Sequence, residues 1–339
     1  MTGRTLSVPV SDPFGVALDA GMPSLPAALD PGEVQRQFEE HLSHLAGNGG
    51  SLRLRGIRVV RHKPGRRCVI EYDLGAPPEG VVMLGKVRAK RSGKSGYRML
   101  RSLWEAGFGA DAPDGICVPE PLGTISEFRM WLQRKVPGRT ATELLAQPGG
   151  VALVRRISEA AHKLHLANVP AKRRHTMADE LRILHERLPE VACREQPLAR
   201  RIERLLAACV RLGEGVPEPR ECGVHRDFYA DQVLVDGERL ILLDFDLYCV
   251  GDPALDVGNF LGHITEQSMR TTGDPGALAH LERVMEDRFV ELSGEAARPA
   301  IRAYAALTLA RHVHLSTLFA ERRHLTGGLL ELSEERVGC

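Results

Sequence analysis

The chain is short of most features that would name a partner or a compartment outright. Its formal net charge is +1, so no global charge excess points to nucleic acid, to an anionic membrane or to a polyanionic substrate. None of its seven cysteines forms a C-x-x-C pair and their number is odd, which argues against a disulfide frame or a zinc site and fits reduced thiols. No stretch approaches 18 uninterrupted apolar residues, and the start "MTGRTLSVPVSDPFGV" has no basic cluster followed by an apolar run, so the expectation is a cytoplasmic protein with no membrane partner. There is no internal repeat and no low-complexity tract. What is present is an ordinary globular composition, 26% charged and 43% hydrophobic over 339 residues, long enough for two lobes.

Residues 1 to about 29, rich in Pro, Gly, Ser and Ala, read as an extension or loosely packed arm. A helix is predicted next. In "DPGEVQRQFEEHLSHLAGNGG", Asp30 caps, Pro31 suits the first helical position, Glu33 completes a capping box, and Val34, Phe38, Leu42 and Leu45 form one stripe ended by "GNGG". Three β-branched runs follow, "IRVVRHK", "RRCVIEYDL" and "GVVMLGKVRA", separated by "PG" and "GAPPEG" as in an antiparallel meander. A helix in "YRMLRSLWEAGFG" and strands around "GTISEFRMWLQRKV" complete a mixed unit ending near Val136. From Thr140 onward five segments carry helical spacing. The expected division is therefore an extension and helix over 1–50, an antiparallel-sheet lobe over 51–136, and a larger, mainly helical lobe over 137–339: an α+β protein.

The helical lobe has one strand-rich insert, "GVHRDFYADQVLVDGERLILLDFDLYCVGDPALDVGNF", residues 223–260. Within it "VLVDGERLILLDFD" reads as a hairpin turning at Asp236-Gly237. That hairpin brings Gln232 and Asp244 to the same end of the strand pair. A carboxylate beside an amide oxygen suits a hard cation such as Mg²⁺, which takes its remaining ligands from water and phosphates. Asp227, five residues before Gln232, is then placed to orient a hydroxyl and accept its proton.

An H-R-D loop followed by a metal-binding Asp is the kinase arrangement, and "HRDFYADQVLVDG…LLDFD…GDPALDVGNF" resembles the aminoglycoside phosphotransferase and choline kinase family. The resemblance covers roughly residues 52–320 and is strong only over 223–260. It implies a two-lobed, protein-kinase-like fold and an ATP- or GTP-dependent transfer of phosphate to a hydroxyl of a small metabolite or antibiotic. It implies Asp227 as the base in a loop completed by His225 and Arg226, Gln232 and Asp244 as the Mg²⁺ ligands, and Asp252 and Asp256 as braces of the loop. It also implies that Lys86 pairs with the phosphates, that Gly65 and Arg66 in "HKPGRR" approach them, and that Gln133 and Lys135 belong to the linker meeting the base. The family's usual residue at position 232 is Asn; Gln offers the same oxygen one methylene further out.

Other readings stand beside these. Lys86 is alternatively a solvent-facing lysine, "HKPGRR" a plain tight turn, and Asp246 a metal contact or another brace. Glu105 is the only acid in its helix, late for a partner of Lys86. "SGKSG" is not a P-loop, since glycine would be required where Arg88 stands. The histidine pairs His162/His165 and His312/His314 lack the spacing of helical metal ligands and read as satisfied core or surface residues. Residues 51–101 hold fourteen Lys or Arg against three acids, an excess read as phosphate attraction and solvated surface rather than an RNA face, because interleaved aromatics are lacking. The rival function is a nucleotide-binding pseudokinase regulator, suggested by Gln232 and the missing early acid.

Overall fold

The computed structural model describes residues 8–46, 52–75, 80–90 and 94–339. The "GNGG" helix stop, most of "GAPPEG" and the first residues of "SGKSG" lie outside them. The chain divides into two compact units, Met1–Pro137 and Gly138–Cys339.

In the first unit, β2 (Arg53–Lys63), β3 (Arg67–Gly75) and β4 (Val81–Arg88) form the antiparallel meander. A hairpin of β6 (Pro121–Ile125) and β7 (Met130–Arg134) joins β4, and β1 (Val10–Ser11) lies parallel to β2, giving the order β1-β2-β3-β4-β7-β6. β5 (Ile116–Cys117) precedes the hairpin. Alternation along the strands sends Ile57, Ile70, Tyr72, Met83 and Leu132 into one core. Over that core lie α1 (Leu25–Leu29) and α2 (Pro31–His41), whose first turn is closed by Asp30 accepting from the Glu33 amide at 2.7 Å. Phe38 meets Tyr72 edge-on at 5.0 Å, and truncating so buried a ring costs about 3–5 kcal/mol. Residues 8–29 are not a loose arm: Val16, Met22, Leu25 and Ala28 are fully buried in the same core. Their Pro and Gly residues shape turns that carry apolar side chains inward, which a compositional reading discards. α3 (Lys94–Leu103) runs into a wider turn over Trp104–Phe108 that leaves helical geometry at Ala106 and Gly107, the latter at φ 95°.

The second unit is built from α4 (Ala141–Leu144), α5 (Gly150–Ala167), α6 (Met177–Arg194), α7 (Ala199–Glu214), α8 (Ala254–Thr272), α9 (Ala279–Ser293), α10 (Arg298–Thr317) and α11 (Thr326–Val337). Two small strand groups are set among them. β10 (Cys222–Val224) and β9 (Arg174–His175) flank β13 (Cys249–Gly251), and the hairpin of β11 (Val233–Asp236) and β12 (Arg239–Leu242) pairs through β11 with β8 (Arg139–Thr140). The sequence pattern places residues 254–260 in the strand-rich insert, whereas they are the first two turns of α8. That helix is buried on nearly every side, polar residues such as Asn259, Thr265 and Glu266 included, so the usual contrast of an apolar face and a solvated one does not mark its period. α8 lies against α10 through Gly258 and Gly262, one turn apart. A methyl group would stand 2.6 Å from the Ile301 carbonyl at the first and 2.9 Å from the Ala305 carbonyl at the second. Among the described residues no helix is long and apolar enough to cross a membrane.

Candidate active site

The hairpin in the second unit sets the geometry. Asp236 lies opposite Arg239 across a two-residue turn with Gly237 at φ 57°, and Val233 lies opposite Leu242. One step beyond the ladder the Leu243 amide donates to the Gln232 carbonyl at 2.9 Å, so Gln232 and Asp244 stand on neighbouring chain ends. Asp244 has φ 57°, a left-handed conformation that aspartate tolerates better than most residues. Its Oδ1 is buried without a hydrogen-bond partner. Gln232 is itself buried.

The loop carrying Asp227 is held from α8. Asp256 is fully buried, and its carboxylate accepts from the His225 amide at 2.8 Å, the Arg226 amide at 2.6 Å and His165 Nε2 at 2.9 Å. Arg226 has φ 71°, a strained setting for a long side chain that persists only where surrounding bonds impose it. His225 donates from Nε2 to the Leu243 carbonyl at 2.7 Å and packs between Phe228 and Phe245. That bond ties the loop to the residue before Asp244. One turn after Asp256, Asn259 donates to the Phe228 carbonyl at 2.9 Å and accepts from Arg311 at 2.6 Å. Arg311 also meets Glu180, which His175 bonds at 2.6 Å. Burial works to raise the Glu180 carboxyl, but His175 and Arg311 outweigh it and hold the group below the usual range. Asp252 accepts from the Ala254 amide at 2.9 Å at the start of α8, and burial raises its carboxyl above the ordinary value.

Around Asp227 the polar groups converge on Tyr229. Its phenol is raised first by burial and then by the negative charges of Asp227, Asp231 and Asp244, while a hydrogen bond with Gln232 acts the other way. The Tyr229 ring stacks on His263 at 4.5 Å and 17°. Asp231 is bonded by the Thr142 hydroxyl, and the Asp246 carbonyl accepts from Arg173.

In the first unit Lys86 is an interior residue of β4, opposite Trp131 of β7, with Nζ 4.8 Å from the centre of a Trp131 ring. Glu105 pairs with Arg101 at 2.7 Å and is exposed. Gly65 stands in the β2–β3 turn at φ 62°, but its amide already donates to Asp19 Oδ2 at 2.8 Å. His62 Nε2 meets the same oxygen at 2.8 Å, and the Gly21 amide donates to Oδ1 at 2.9 Å. A carboxylate of the chain itself thus sits where the sequence reading put a phosphate, and it is held below its usual range by the Gly65 amide first and His62 second. Arg66 closes the turn through its amide to the Lys63 carbonyl. Gln133 is a buried residue of β7 opposite Leu84, within the sheet rather than beyond it. The Lys135 amide donates to the Val82 carbonyl, and its Nζ lies 2.6 Å from Glu71.

The donor set fits a hard cation: a buried carboxylate oxygen without a partner, beside a chain end bearing an amide. No cluster of three or more His, Cys, Asp or Glu side chains suited to a metal exists among the described residues, as expected where phosphates and water complete the shell. Sequence reasoning missed Asn259 and Asp19; His165 is a core histidine, as its spacing reads, with Asp256 for its partner. Asn259 was within reach, since it follows Asp256 by three residues on one helix face. Nothing in the pattern marked Asp19.

Residues 81–286 match the model of the phosphotransferase enzyme family. No curated protein matches the chain. Among solved structures, a spectinomycin phosphotransferase in complex with ADP and spectinomycin is similar with TM-score 0.59 and 11% identity, over 91% of this chain and 98% of that one. A thermostable aminoglycoside phosphotransferase mutant in complex with AMP-PNP and hygromycin B gives 0.58 and 17%, over 90% and 97%. A choline/ethanolamine kinase family protein from Mesorhizobium loti gives 0.56 and 15%, over 91% and 95%. These likenesses carry the fold.

Proposed function

Since the chain belongs to the phosphotransferase enzyme family, we propose that it moves the γ-phosphoryl group of ATP to a hydroxyl of a small molecule, with Asp227 as the base. The observation that carries this reading is the buried, unpartnered Oδ1 of Asp244 next to Gln232, beside a loop clamped by two backbone hydrogen bonds to Asp256, itself braced by His165. Gln232 and Asp244 would hold Mg²⁺, which when bound neutralises charge on the β- and γ-phosphates. Asp227 orients the acceptor hydroxyl and takes its proton as the new P–O bond forms, and the bond from γ-phosphorus to the bridging oxygen breaks toward ADP. Asp256, His225 and Asn259 hold the backbone that presents Asp227. Lys86 steadies the α- and β-phosphates. The ADP and AMP-PNP in related structures favour an adenine nucleotide over GTP. Lys135, just past the end of β7, is proposed to line the nucleotide through its main-chain carbonyl, with Gln133 inside the sheet behind it, and Arg66 rather than the Gly65 amide to meet phosphate.

Replacing Asp227 by Asn should abolish transfer to any acceptor while ATP binding persists; retained transfer overturns the assignment. A second reading, a nucleotide-binding regulator without turnover, draws on Gln232 in place of Asn and on Glu105 pairing with Arg101. Mg²⁺-dependent ATP binding by calorimetry, with no ATP turnover and no transfer across a broad acceptor set, would favour it.

A further inference from the structure

One stripe of α8 runs from the catalytic loop outward. Asn259, His263, Glu266 and Arg270 are spaced at four, seven and eleven residues, the period of a single helix face. Asn259 holds the Phe228 carbonyl, and the Tyr229 ring lies flat on His263. His263 in turn meets the ring of His312 edge-on at 4.5 Å, and His312 is 3% exposed with Nε2 buried and without a hydrogen-bond partner. The stripe thus begins at the loop bearing Asp227 and ends at Arg270, about 10 Å beyond His263 at 1.5 Å of rise per residue.

The charges along this stripe are lopsided. Glu266 is one carboxylate serving two guanidiniums, Arg270 at 3.1 Å and Arg322 at 3.9 Å. Arg322 also lies 5.2 Å over the ring of Phe319, which is 45% exposed. Arg311 divides its contacts between Glu180 and the neutral Asn259. After loss of solvent, the strongest influences on His263 and His312 include the positive charges of Arg311, Arg322 and Arg270, and both rings are pushed toward the neutral form. Next to the candidate base there is therefore a flat, uncharged platform, and further along the stripe a surplus of guanidinium. A polycation is poorly served by such a flank. A carboxylate or phosphate is well served, because guanidinium presents paired donors in the plane that either anion offers.

Building on the phosphotransferase reading, we infer that the acceptor carries a carboxylate or phosphate in addition to the hydroxyl it presents to Asp227, that Arg270 and Arg322 receive this anion, and that the Tyr229–His263 stack supports the body of the acceptor. The test compares kcat/KM with ATP and Mg²⁺ for matched acceptors: glucose, gluconate, glucose 6-phosphate, glucosamine and an aminoglycoside. The expected result is a preference of about tenfold or more for gluconate or glucose 6-phosphate over glucose and both amines, shrinking as salt is raised. Which of the two anions is preferred separates carboxylate from phosphate recognition. Arg322→Glu and the milder Arg322→Gln should each cut that preference, the first by about tenfold or more. Equal or better use of glucose, glucosamine or the aminoglycoside, or an unchanged preference in both variants, overturns the inference and leaves the phosphotransferase reading standing. Absence of both ATP binding and ATP hydrolysis in the unaltered protein overturns both.

Discussion

Replacing Asp256 by Asn keeps the size and shape of a fully buried side chain and changes only its donors and acceptors. The carboxylate now takes three hydrogen bonds, two of them on Oδ2 from the His225 amide and His165 Nε2, and one on Oδ1 from the Arg226 amide. In the variant one oxygen can stay on the Arg226 amide, and His165 can change tautomer and accept from the new NH₂ group. The His225 amide then faces a donor and is left unsatisfied, at a cost of about 1–3 kcal/mol, and the Arg226 bond loses its charge assistance, about 1 kcal/mol more. The expected destabilisation is about 2–4 kcal/mol, measured as a fall in urea midpoint of the second unit. ATP turnover should fall with it, since Arg226 at φ 71° is free to relax once its clamp weakens. A variant within about 0.5 kcal/mol of the parent and equally active would refute the claim that Asp256 holds the loop.

The buried His312, held neutral down to about 3 by loss of solvent and then by Arg311, makes stability depend on pH. Its unfolded counterpart gains a proton below 6.5, so its contribution is intact above that value and declines as pH falls toward 3, by about 2 kcal/mol at pH 5. Denaturation of the parent and His312→Phe at pH 7 and pH 5 should show the smaller loss in the variant; equal losses contradict the assignment. Asp19→Ala should release the β2–β3 turn, seen as faster amide exchange at Gly65 with little change in the strands; unchanged exchange would show that the carboxylate does not hold the turn. Gly258→Ala pushes a methyl group against the Ile301 carbonyl and the Tyr304 side chain, and should cost about 1–3 kcal/mol in thermal unfolding.

How much of this was legible in the sequence follows from which signals are local. The meander, the Asp30 cap and the Asp236-Gly237 hairpin were readable because alternation, capping chemistry and turn residues act within a few positions. α8 was missed because it is buried on nearly every side, with polar residues among the buried ones, and follows three short strands without a break in texture. The packed segment 8–29 was missed because its order comes from contacts with a sheet more than thirty residues downstream, such as the Tyr72 hydroxyl on the Ala28 carbonyl. In the candidate site, the hairpin dictated that Gln232 and Asp244 share an end. It could not disclose that Asp19 occupies the Gly65 amide, a pairing across 46 residues with no pattern to announce it. The proposed anion-binding flank was hidden in the same way: it is assembled from α8, α10 and the segment after it, elements that only the fold brings together.

The central claim is that Asp227 is the base of a phosphoryl transfer from ATP to a hydroxyl. It is tested most directly by incubating purified protein with ATP, Mg²⁺ and a library of hydroxylated metabolites and antibiotics, and reading each acceptor by mass. The account predicts at least one acceptor heavier by one phosphoryl group, formed by the parent and not by Asp227→Asn, which still binds ATP. Phosphorylation of the same acceptor by both proteins, or by neither across the library, would contradict it.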